Sequence, residues 1–158
     1  MHIRIALASL VCCAGLQAQI SVVNAASFRQ QPGVAAGSFA SAFGSFAGAT
    51  TTAAAALPFP TSLGGVTVTV GGTAAPLQYV SSTQINFLVP AAVTPGLRPI
   101  VVTSGSATLN GNVRVVTAAP GLSTQDTATP PKGAIQNQDA SLNTSANPAR
   151  RGQLVQLF

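Results

Sequence analysis

Gly65-Val66-Thr67-Val68-Thr69-Val70-Gly71-Gly72, residues 65–72, is the stretch whose reading decides the fold. Three valines alternate with two threonines, so an extended chain carries all the apolar groups on one face and the hydroxyls on the other. β-branched side chains favour that conformation because their χ1 freedom is already restricted. Gly71-Gly72 supplies the positive φ angles that a tight hairpin turn demands. The spacing predicts a strand over 65–70 and a strand returning through Ala75, Leu77 and Tyr79. Ser81-Ser82 then turns the chain into Gln84-Ile85-Asn86-Phe87-Leu88-Val89, stopped by Pro90.

The same grammar extends in both directions. Ile20 to Asn24 reads as a short opening strand, and Gly37 to Phe43 alternates in a way that nominates Phe39 and Phe43 for the core. Beyond Pro95-Gly96, the run Ile100-Val101-Val102 is a strand with a turn at Ser104-Gly105. Asn110-Gly111 has two readings, a second hairpin turn or a bulge inside one strand that ends at Val116; the bulge is the expectation, because the Ser104-Gly105 turn already pairs two strands of similar length. Residues 47–61 (AGATTTAAAALPFPT) read as a mobile connection with room for one helical turn, and as a binding loop in the functional alternative. Turn signals every eight to twelve residues, with no sustained helical period, point to an antiparallel sandwich or barrel.

The two ends differ from this middle. Arg4 followed by the apolar run Ile5–Ala14 and small residues up to Ala18 has the layout of an export signal cut after Ala18, with Gln19 as the alternative cut. The apolar run is too short for the ~18–20 residues that span a bilayer, so no transmembrane segment is expected in the mature chain. Cys12 and Cys13 read as apolar filler within that signal; the competing reading is a lipidated Cys13, with Cys12 in place of the usual small residue before it. Residues 118–132 hold three prolines and read as a linker, and 133–149 are polar, with a short strand at Ala134-Ile135. The final stretch Gly152-Gln153-Leu154-Val155-Gln156-Leu157-Phe158 echoes Gly37-Ser38-Phe39-Ala40-Ser41-Ala42-Phe43. The expected division is therefore a signal at 1–18, a β module at 19–117, a polar linking segment at 118–149 and, at 150–158, the beginning of a second module whose apolar strand is unpaired and docks against the first module or a partner.

Composition excludes more than it selects. The chain is 47% hydrophobic and only 6% charged, against roughly 25% charged in typical soluble domains. Beyond residue 18 it contains no His, Cys or Glu; the only acids are Asp126 and Asp139, and the only tyrosine is Tyr79. Acid–base, nucleophilic and metal chemistry draw mainly on those missing groups, so no enzyme, no cofactor and no metal site is expected, and no residue is nominated for catalysis or cofactor binding. Asp126 and Asp139 fit turn capping better than the close-spaced oxygens calcium needs. Tyr79 with Phe87 fits core packing, Phe87 inside and Tyr79 half-buried, better than a sugar-stacking platform. Asn143-Thr144-Ser145 fits a glycosylation sequon. The formal net charge of +5 arises from scarce acids: Arg29, Arg98, Arg114 and Lys132 stand alone and only Arg150-Arg151 pair, which is not a nucleic-acid footprint.

Four stretches carry a family resemblance: VVNAASF (22–28), LPFPTSLGGVTVTVGGTAAPLQYVSSTQINFLVP (57–90), AAPGL (118–122) and GAIQNQDASLNTSANPARRGQLVQLF (133–158). Together they are similar to the repeated extracellular domain of acidobacteria often termed the Solibacter C-terminal domain, whose modules resemble immunoglobulin-like IPT/TIG sandwiches. The Tyr-x-Ser-x-x-Gln-Ile-Asn pattern at 79–86 is its most specific element. The resemblance implies secretion, a seven-stranded sandwich and no established activity. The expected protein is thus all-β, an immunoglobulin-like antiparallel β-sandwich preceded by a signal peptide. It is expected outside the cell or at its surface, in a structural, spacer or interaction role, with neighbouring modules or cell-surface polymers as partners. The alternative is a carbohydrate- or polymer-binding accessory module of a larger extracellular protein.

Overall fold

The computed structural model describes residues 20–125 and 132–158, and the expected signal and Asp126 lie outside these. Two sheets face each other. The first orders its strands β1-β3-β9-β8-β4, namely Ser21–Asn24, Phe39–Phe43, Gln84–Leu88, Leu77–Val80 and Thr52–Ala53. The second orders them β2-β11-β10-β6-β5, namely Val34–Ala35, Ala107–Val116, Gly96–Ser104, Val66–Val70 and Ser62–Leu63, with β7 (Thr73–Ala74) also on β6. All pairings within these sheets are antiparallel except β2 with β11. No helix occurs among the described residues, and the fold is the all-β, immunoglobulin-like sandwich read from the sequence. Several of its strands are two-residue edges beyond the seven that the resemblance implied.

The alternation at 65–70 does what its period dictates. Val66, Val68 and Val70 are fully buried and face Ile85, Phe87, Leu77 and Val80 of the opposite sheet within one apolar cluster. Gly71 and Gly72 hold φ of 57° and 80° between the paired residues Val70 and Thr73, which makes the two-residue turn expected there. The returning strand, however, is broken. After β7 the chain leaves the sheet at Ala75-Pro76, and Leu77 resumes in the other sheet, where its N–H donates to the Pro60 carbonyl at 2.7 Å. Pro76 has no N–H for a ladder, so the sheet change falls where pairing would fail anyway.

Three expectations need correction. Phe39 and Phe43 point away from the core, Phe39 being 39% exposed, while Ala40 and Ala42 take the inner face. With alanine at both inner positions of β3, the aromatic volume comes instead from Phe46, fully buried beyond the end of the strand. Asn110-Gly111 forms no bulge: β10 and β11 pair from Gly96↔Val115 to Ser104↔Ala107 without a slip. Gly111 is instead a place of close approach, since a Cβ there would meet Ile20 and Ile100 at 3.4 Å. The bulge sits at Gln78, the extra residue between Leu77↔Phe87 and Tyr79↔Asn86. Residues 47–61 form no helical turn either; they are stitched down as edge strands by Thr50 N–H to Gly64 O (2.9 Å), Ala54 N–H to Gln78 O (2.8 Å) and the Ser104 hydroxyl to Ala47 O (2.8 Å).

The terminal strand is paired rather than orphaned. β13 (Val155–Leu157) runs antiparallel to β12 (Ile135–Asn137), and Ser123 N–H reaches the Phe158 carbonyl at 2.6 Å. Its three residues are nevertheless exposed.

The inward and outward assignments give a direct check. Phe46→Ala is expected to lower unfolding free energy by about 3–5 kcal/mol, the usual range for emptying a buried phenylalanine site. Phe39→Ala is expected to cost less, about 1–2 kcal/mol, because the ring is already 39% exposed and its removal widens an open cleft rather than leaving a closed cavity. Urea unfolding of the two variants would read the difference, and equal costs would contradict the register of β3.

Candidate functional site

The polar residues that the sequence singled out divide between three places. The first is Asn24, at the end of β1 and only 7% exposed. Its side-chain oxygen accepts from Ala26 N–H (3.0 Å) and Ser27 N–H (3.1 Å), and its Nδ2 donates to the Ala119 carbonyl at 2.9 Å across 95 residues. Its backbone closes the same turn, with Asn24 N–H to Arg29 O (3.0 Å) and Phe28 N–H to Asn24 O (2.9 Å). Phe28 is held with φ 53°, an unusual backbone for an aromatic residue, and its ring packs on Phe43 at 6.4 Å. Gly121 lies so close to the Asn24 amide that no Cβ would fit. The stretches 22–28 and 118–122 are therefore two halves of one contact.

The second place is the pattern at 79–86. Ser81 is its pivot: the hydroxyl accepts from Gln84 N–H (3.0 Å) and Thr83 N–H (3.3 Å), while Ser81 N–H and Gln84 O close the turn at 2.8 Å. Asn86 Oδ1 accepts from the Ser41 hydroxyl (2.9 Å) and from Gln84 Nε2 (2.8 Å) on the outward face of the first sheet. Tyr79, partly buried, stands opposite Asn86, and Phe87 is fully buried, so the two rings share no platform. These groups build a turn and a cross-strand ladder.

The third is the loop that links β12 to β13. Asn137, 8% exposed, donates from Nδ2 to Ser141 Oγ and Asn147 O, both at 3.1 Å, and accepts from Asn143 Nδ2 at 2.8 Å. Asn147 Nδ2 donates to Ser141 Oγ at 2.9 Å. Asp139 is fully exposed and receives the Ser141 hydroxyl (2.5 Å) and amide (3.0 Å), which hold its carboxyl below the usual value near 3.8. It caps a turn, as its setting in the sequence implied. The Asn143 amide of the sequon is engaged inside this network rather than offered outward.

Concave surface lies elsewhere. An apolar cleft of about 510 Å³ is bordered by Phe39, Leu57, Pro58, Phe59, Pro76 and Leu88, with the Phe39 and Phe59 rings edge to face at 5.9 Å. Two further clefts, of about 450 and 270 Å³, flank the loop Gln31-Pro32-Gly33, the larger between the sandwich and Ala119, Gly121, Leu122 and Gly133, the smaller beside Leu97 and Arg114 on the sandwich itself. Among the described residues no three His, Cys, Asp or Glu side chains gather where a metal would sit. Composition alone missed all three clefts, because each joins segments far apart in the chain.

Residues 38–116, half of the chain, match the family model described as IPT/TIG domain. The chain belongs to the IPT/TIG family. Its members are immunoglobulin-like modules with general roles in structure or interaction. The match runs from the start of β3 to the end of β11, so β1, β2, the Asn24 contact and the β12–β13 unit lie outside it. No curated protein and no solved structure matches the chain.

The Asn24 contact makes a firm prediction. Asn24→Ala strands two N–H groups and one carbonyl in a buried setting and should cost about 2–3 kcal/mol. Amide exchange at Ala26 and Ser27 should accelerate far more than exchange in β6. Unchanged exchange at those two amides would remove Asn24 from its central position.

Proposed function

We propose that this IPT/TIG chain is an exported, non-catalytic module that works by presenting surface, in a structural, spacer or interaction role outside the cell or at its surface. The observation that carries the reading is β13. Leu154, Val155, Leu157 and Phe158 are each between 47% and 76% exposed, on a strand that has β12 on one side only. A two-stranded sheet with uncovered apolar side chains is marginal in water and invites a further strand. A neighbouring module, presenting an edge of its own, is the partner such a strand fits. The export signal at 1–18 supports the compartment, and the absence of His, Cys and Glu beyond residue 18 supports the lack of catalysis. The resemblance of 57–90 and 133–158 to the acidobacterial extracellular repeats supports the same setting.

A second reading, a polymer-binding accessory module, is favoured by the paired clefts beside Gln31 and Gly33, which are lined by amides and arginines.

Two measurements test the first reading. The product recovered from culture medium and cell envelope should have an intact mass that begins at Gln19; retention in the cytoplasm with Met1 in place would sink the export claim. The purified protein should associate in sedimentation with rising concentration, and Val155→Lys with Leu157→Lys should leave it monomeric with an unchanged melting temperature. A wild-type protein that stays monomeric throughout would show that β13 is no docking edge.

A further inference from the structure

The two clefts beside Gln31-Pro32-Gly33 share a wall. Gln31 and Gly33 line both, so the larger, on the side of Asn24 and Leu122, adjoins the smaller, on the side of Asn112 and Leu97. Gly33 is common to the two. Its φ of 137° and its contact with the Arg114 backbone leave no room for a Cβ, and the Arg114 stem passes beside it. One arginine stands in each cleft, Arg29 in the larger and Arg114 in the smaller.

Both clefts have the same chemistry. The side chains of Arg29, Gln31, Asn112 and Arg114 make no hydrogen bond or ion pair with the described residues. The one carboxylate side chain among those residues, Asp139, lines neither cleft and is held by Ser141. Each cleft also has an exposed leucine, Leu122 at 56% and Leu97 at 64%.

We infer that these two adjoining clefts together bind an acidic polysaccharide, a chain of sugars that carry carboxylates. A guanidinium offers two parallel N–H donors that match a carboxylate in geometry and charge. Primary amides supply both donors and acceptors for ring hydroxyls, and a leucine offers an apolar pad for the C–H face of a pyranose. Two guanidinia set in successive clefts suit a polymer whose carboxylates recur, rather than a single small anion. Nucleic acid fits less well, because no aromatic side chain lines either cleft to stack a base. The inference deepens the polymer-binding reading and rests on it.

The test uses the purified protein with polygalacturonate as the acidic probe and dextran as the neutral one, by affinity electrophoresis and calorimetry at about 0.15 M salt. Polygalacturonate should bind and dextran should not. Arg29→Ala with Arg114→Ala should weaken binding by about tenfold or more, a loss of roughly 1.4 kcal/mol. Arg150→Ala with Arg151→Ala removes the same charge elsewhere and should change it by less than about twofold. Arg29→Lys with Arg114→Lys should fall between, because the charge stays and the paired donors go. Equal losses in the two alanine pairs would overturn the paired clefts in favour of diffuse attraction. Binding to dextran that ignores both pairs would overturn the paired clefts and leave the polymer-binding reading standing. No retention on either probe would end both. Melting temperatures of all variants guard against misfolding, and Asn112→Ala is the second variant if Arg114→Ala fails to fold.

Discussion

One side-chain amide holds the front of this protein to its back. Asn24 satisfies two N–H groups of its own turn and one carbonyl 95 residues away, and it does so in a site that water barely reaches. An amide is suited to this because it donates and accepts at once, and a buried group left unpaired costs more than the net worth of the bond. With Gly121 pressed on that amide, residues 119–125 lie against the sandwich rather than swinging clear of it. The larger cleft, lined by Asn24, Ala119, Gly121 and Leu122, takes its wall from that contact.

The sandwich itself is held by apolar alternation of an ordinary kind. Small residues dominate: the inner face of β3 is alanine, and β6 contributes only valine. The few large groups, Phe46, Phe87, Leu77, Ile85 and Ile100, occupy what space remains. The described residues include no cysteine and no cluster of metal-ligating side chains; cohesion rests on packing and on polar side chains spent almost wholly on turns and ladders. Every buried side-chain polar atom there has a partner. That economy explains why the motifs most recognisable in the sequence turn out to be scaffolding. What remains for interaction is the surface the scaffold does not use: an apolar cleft, an open edge and two arginines with no acid beside them among the described residues.

Much of this was legible in the chain. The strand over 66–70, its two-glycine turn, the strand ending at Pro90, the continuous strand to Val116 and the buried Phe87 with a half-buried Tyr79 all follow from local period and turn chemistry. Period two, however, says that neighbours face opposite ways and not which face is the core. At 39–43 both assignments satisfy the pattern, and hydrophobicity favoured the wrong one, since two phenylalanines outrank two alanines until the spacing between sheets is known. A slip in pairing is equally invisible: Asn110-Gly111 looks like a bulge and Gln78 does not, because a bulge is a relation between two strands.

By itself, then, the sequence determined the class of the fold, the places where the chain turns and the lack of the side chains that catalysis prefers. All of these depend on residues within about ten positions of one another, where propensity and period act directly. The tertiary structure alone decided which face of β3 is inside, where the chain changes sheet, that β13 pairs with β12, and that Arg29 and Arg114 line adjoining clefts. Each is a contact between segments brought together only by the closing of the sandwich, and no local pattern encodes the partner of a residue 95 positions away.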